Sequence, residues 1–133
     1  MGFDWPYYLE VAQELTEQAA DAPPELQEAK YRAAISRAYY AVFGRARHHL
    51  RHIDRRKEPA YLNPHNYVQN TFADSSDKDR KNIGGHLGRM REDRNAADYD
   101  LNSDRLMNIA ICAKRNLTWA KEAFGLLDLI QKK

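Results

Sequence analysis

From Glu25 to about Ile53 the chain contains no proline and repeats apolar residues at helical spacing. Ile35, Ala38, Tyr39, Val42, Ala46, His49, Leu50 and Ile53 fall on one face. A helix of that length is roughly 40 Å long, enough to cross a small domain and force every other element to pack along it. The remaining sequence reads as helices too. Asp4 before Trp5 and Pro6 has the form of a cap with proline in the first turn, and Tyr8, Val11, Ala12, Leu15 and Ala19 follow at helical spacing. Pro23 and Pro24 end that helix and open the long one, while Pro59 and Asn63-Pro64 mark a turn. A short helix carrying Tyr67, Val68 and Phe72 comes next. Residues 78–95 are read as another helix, loosened by Gly84, Gly85 and Gly88. Ala96 to Asn102 reads as a polar connection. Asn102 or Ser103 is placed as the cap of a last helix with Leu106, Ala110, Ala113, Leu117, Ala120, Phe124 and Leu127 on one face. No run alternates like a strand and nothing repeats. The expected fold is all-α: one domain over residues 1–133, a bundle of four or five helices with a long second helix.

With 133 residues, 43% of them hydrophobic and 30% charged, the chain is ordinary for a globular domain with one core. No apolar run approaches the length of a membrane span, and the start of the sequence lacks the basic and apolar regions of a signal peptide. The single cysteine, Cys112, lies in an apolar helical pattern and reads as a buried structural thiol. These features predict a cytoplasmic protein without membrane contact.

Charge is distributed unevenly. Residues 1–29 hold seven acids and no Lys or Arg, whereas residues 30–57 hold nine Lys or Arg and one acid, Asp54. Such a basic band suits phosphates or an acidic partner; equally, the acidic segment can lie beside it and cancel much of it.

Candidate chemistry gathers late in the chain. Arg91, Arg94 and Asn95 lie at i, i+3 and i+4, on one helical face. Two guanidiniums and an amide together can hold a phosphate or stabilise charge developing on one. They also suit a solvated helix end, where the dipole favours arginine. Tyr99, placed beyond the helix end, has a hydroxyl able to reach back toward Arg94. Arg37, Tyr40 and Gly44 share a face of the long helix away from its apolar side, and the glycine there permits close approach of another helix. His48 and His52 are one turn apart, a spacing compatible with zinc, yet Arg45, Arg47, Arg51, Arg55 and Arg56 around them oppose a divalent cation. No metal or cofactor is expected. A contact from His48 or His52 to phosphate fits this basic stretch better, beside the simpler alternative of a solvated face.

The run Ser36-Arg37-Ala38-Tyr39-Tyr40-Ala41-Val42-Phe43, followed by Arg94-Asn95-Ala96-Ala97-Asp98-Tyr99, resembles the HEPN superfamily of small helical proteins, across roughly residues 5–130. The resemblance implies a homodimer whose cleft uses Arg37 and Tyr40 of the second helix and the late Arg94 motif. Ribonuclease members carry an arginine, a polar residue and then a histidine, and cleave RNA without metal. In this sequence Arg94 and Asn95 fill the first two places and Tyr99 stands where the histidine belongs. A phenol replaces imidazole poorly in proton transfer near neutral pH. Arg94, Asn95 and Tyr99 are therefore the candidate catalytic positions of a degenerate nuclease motif, with Arg91, Arg37, Tyr40, His48 and Arg51 as candidate phosphate or RNA contacts.

Three functions follow. The first is an RNA- or nucleotide-phosphate-binding module. The second is a metal-independent endoribonuclease, the toxin of a toxin–antitoxin pair, for which the resemblance suggests a nucleotidyltransferase-like antitoxin. The third is a helical adaptor that binds only protein and is indifferent to Arg94.

Overall fold

The computed structural model describes residues 4–100, 106 and 108–132. Five helices follow in order: α1 (Pro6–Ala20), α2 (Pro24–His48), α3 (Pro64–Ala73), α4 (Lys78–Tyr99) and α5 (Ile109–Gln131). There is no strand among the described residues. A π-helical turn, His49–Ile53, continues α2 directly, so the expected long second helix is present with a widened last turn. The chain then reverses at Arg55, whose φ of 56° is left-handed, and Arg56 N–H donates to the Leu50 carbonyl at 2.8 Å.

Helix α2 is the spine because it is buried on several sides. Tyr31, Ala34, Ile35, Ala38, Tyr39, Ala41, Val42, Phe43 and Ala46 are all buried, and α1, α4 and α5 pack around them. The alanines supply small surfaces that let neighbouring helices close in. A helix used this way cannot show the single apolar stripe of a surface helix. The larger core joins Ala12 of α1, Tyr39, Val42 and Leu50 of the spine, Val68 and Phe72 of α3, Ile83, Leu87 and Met90 of α4, and Leu117, Ala120 and Leu127 of α5. A second, smaller core gathers Ala19, Tyr31, Ile35, Ala96, Ala97, Leu106 and Cys112, with the cysteine buried as expected.

Three helix starts are set by short polar side chains. Asn63 Oδ1 accepts from His65 N–H at 2.8 Å and Asn66 N–H at 3.2 Å, with Pro64 in the first position of α3. Asp77 Oδ2 accepts from Arg80 N–H at 2.9 Å at the start of α4. The last helix is capped by Asn108, which accepts from Ile111 N–H at 3.2 Å. Asn102 and Ser103, the expected caps, lie outside the described residues. At the first helix the expectation is corrected: the residue before Pro6 is Trp5, in helical conformation, and Asp4 contributes its backbone carbonyl to Tyr7 N–H rather than a side-chain cap.

Two glycines bring elements together inside the chain. A Cβ on Gly44 would stand 2.3 Å from the Trp5 ring, so the close approach read at Gly44 is taken by Trp5 of this same chain. A Cβ on Gly84 would lie 2.4 Å from Ala73 N, so α4 begins pressed against the end of α3. No helix of the described residues is long and apolar enough to cross a membrane.

Candidate phosphate site on the arginine face

Helix α4 runs to Tyr99, four residues past the expected end, and this extension builds the site. Arg32 of α2 accounts for the extra turn. Its Nη1 donates to the carbonyls of Ala96 at 3.1 Å, Ala97 at 2.9 Å and Asp100 at 3.1 Å, placing a cation on the negative end of the helix dipole. On the opposite side, the fully buried Asp93 carboxylate takes three bonds from Arg115 and one from Asn116 Nδ2 at 2.9 Å, fixing α4 against α5. Arg94 is thereby held on the face turned toward α2.

Because the helix continues, Asp98 lies one turn after Arg94 and pairs with it, Nε to Oδ2 at 3.0 Å. Ser36 of α2 donates its hydroxyl to the same carboxylate oxygen at 3.3 Å. Arg94 Nη1 donates to Asn95 Oδ1 at 2.8 Å, and Nη2 donates to the Tyr40 hydroxyl. The guanidinium carbon also stands 4.9 Å from the Tyr40 ring centre and 5.5 Å from that of Tyr99. Arg94, Asn95, Tyr99 and Tyr40, all singled out in the sequence, are therefore assembled in one place. Tyr99 belongs to the last helical turn, not to a loop beyond it, and 76% of its surface is exposed. Among the described residues each terminal nitrogen of Arg94 uses one of its two N–H bonds, leaving two donors for a ligand.

The site continues along α2, where Ser36, Tyr40, Phe43 and Arg47 succeed one another on one face. His65, in the first turn of α3, stacks on Phe43 at 4.3 Å and stands edge-on to Tyr40 at 6.1 Å between ring centres. Its Nδ1 is 2.6 Å from the Tyr39 hydroxyl. Burial lowers the His65 pKa below the ordinary histidine value, and the guanidiniums of Arg91, Arg94 and Arg47 lower it further. Burial also raises the Tyr39 phenol, which stays protonated. Arg91 joins the group through Asn66, whose Oδ1 accepts from Arg91 Nη1. Arg47 stands 5.7 Å over Phe43 and is clamped by Glu58 through two bonds of 2.9 and 2.7 Å.

The other sequence candidates lie elsewhere. Arg37 projects outward with its guanidinium 5.6 Å over the Tyr8 ring of α1, so it does not share the Tyr40 face. His48 and Arg51 line a small hollow of about 150 Å³ with Trp5, Phe43, Gly44 and His52. The His48 and His52 rings lie 4.5 Å apart, and burial lowers the His48 pKa, with His52 and Arg45 adding to it. No cluster of potential metal ligands occurs among the described residues.

His65, Asp98, Asn66 and Arg47 complete the arginine face without having been singled out. Asp98 stood within the late motif, but its partner depends on where α4 ends. His65 follows Asn63-Pro64, a helix-start signal that gives its first turn but not the arginines it meets. A hollow of about 840 Å³ lies between α3, the segment after α2 and the start of α4, and Asn66 forms part of its wall beside the arginine face. No protein-family model, curated protein or solved structure matches this chain.

Proposed function

We propose that the protein is an RNA- or nucleotide-binding module whose phosphate sits on the Arg94 face. One observation supports this reading above the others: Arg47, Arg91 and Arg94, from two helices, converge around the aromatic edges of Tyr40, Phe43 and His65. Guanidiniums suit phosphate oxygens, and the exposed ring of Tyr99, stacked on Arg94, offers a platform for a base. Holding is favoured over cutting, because the motif position for imidazole carries Tyr99 and Arg94 is already anchored by Asp98, Asn95 and Tyr40. The proposal extends, on the HEPN resemblance, to a cytoplasmic homodimer that pairs two such faces and to a nucleotidyltransferase-like antitoxin as protein partner.

The test is equilibrium binding of a short single-stranded RNA, followed by fluorescence anisotropy across a salt series. Affinity of the parent should fall steeply with salt. Arg94→Ala should weaken binding about tenfold or more and lower the salt slope by about one. Binding that ignores both salt and Arg94→Ala would leave the protein-adaptor function in its place.

A further inference from the structure

His65 is the one imidazole on the arginine face, and its setting is unlike that of a packing histidine. One side of the ring rests on Phe43, and Tyr39 is stacked near it at 5.6 Å between centres. Nδ1 is engaged by the Tyr39 hydroxyl, while Nε2 makes no hydrogen bond among the described residues. The groups facing it are Tyr39, Tyr40 and Arg47 from α2 and Arg91 and Arg94 from α4; Asp98 and Glu58 are committed to Arg94 and Arg47. Every unbalanced charge around this half-buried ring is therefore positive.

We propose that His65 is a further ligand of the bound phosphate and takes up a proton as the anion arrives. This rests on the phosphate-binding reading of the Arg94 face. Without a ligand, burial and then the guanidiniums of Arg91, Arg94 and Arg47 hold the ring below the ordinary histidine value. A phosphate seated among them cancels their field and puts negative charge where Nε2–H can donate. The Tyr39 hydroxyl makes the change inexpensive. It donates to Nδ1 of the neutral ring and, by rotating its hydrogen away, accepts from Nδ1–H of the imidazolium, so the 2.6 Å contact survives both states. The ligand class is a phosphate oxyanion, and the internal phosphodiester of an RNA strand, which brings no titration of its own, is the form in which one linked proton can be read.

The probe is a single-stranded RNA with hydroxyl groups at both ends, because a terminal phosphate itself titrates near about pH 6. Affinity should rise as pH falls from about 7.5 to 5.5, approaching tenfold per pH unit at its steepest, the limit for one linked proton. Calorimetry in buffers of different ionisation heat should register uptake of about one proton. His65→Gln should flatten the pH dependence while leaving a salt-sensitive affinity. His65→Phe, which keeps the stacking on Phe43, guards against a folding artefact. Circular dichroism at each pH confirms that the variants are folded. A pH-independent parent, or a pH dependence that survives both His65 variants, overturns the proposal while the binding reading stands. Absence of RNA binding at every pH overturns both.

Discussion

At Gly84 the missing Cβ decides how two helices meet. A methyl group there would lie 2.4 Å from Ala73 N and 2.6 Å from its Cα, and backbone cannot rotate aside as a long side chain can. Gly84→Ala should therefore lose about 1–3 kcal/mol despite alanine's better helix propensity, seen as a lower urea midpoint with an unchanged slope. Gly88 offers a contrast, since a Cβ there meets only the end of the Gln69 side chain at 3.1 Å. In the sequence these glycines looked alike, as residues that loosen a helix. Composition cannot separate a glycine that weakens a helix from one that admits another backbone. The same limit applied to His65: its type and its helix start were readable, but the three arginines around it come from positions 47, 91 and 94 and meet only in the folded chain.

Among the elements, the end of α4 carries the most consequence for the candidate site. Ala96-Ala97-Asp98 reads as a polar connection, and the side chain that keeps it helical is Arg32, 64 residues before Ala96. Local pattern gave the helices, their order and the length of the second one; it could not give a boundary set by a distant guanidinium. Arg32→Ala should cost about 1–2 kcal/mol through the lost bonds to the terminal carbonyls. Amide exchange should quicken at Ala97 to Asp100 while the core of α2 stays protected. RNA affinity should fall as well, because the turn that unwinds is the one that pairs Asp98 with Arg94. The late motif was thus legible as a group of residues, whereas the geometry that makes it a site depended on a cap that no spacing announced.

For the whole molecule, several titrating groups pull stability in one direction. His49, His65 and His86 are all held below the ordinary histidine value, in each case chiefly by burial. Their contribution is complete above the unfolded value of about 6.5 and is lost as pH falls through the lower folded values. Asp54 and Glu58 are held low by hydrogen bonds from Arg80 and Arg47, so their contribution is lost at still lower pH, as it falls through their depressed values. The urea midpoint of the protein without ligand should therefore drop between about pH 7 and pH 5 and drop again below about pH 4. RNA should slow the first decline, since it favours the protonated His65. The charge asymmetry of the sequence also survives folding. Glu10, Glu14 and Glu17 stay exposed on α1, with Asp21 just after it, and α1 packs on α2 and α5, while the arginine face lies between α2, α3 and α4. With acids exposed on one helix and guanidiniums gathered between three others, the molecule carries its charge unevenly. A strand of polyanion approaching through dilute salt would turn it basic side first before any side chain touches, quickening encounter without tightening the grip.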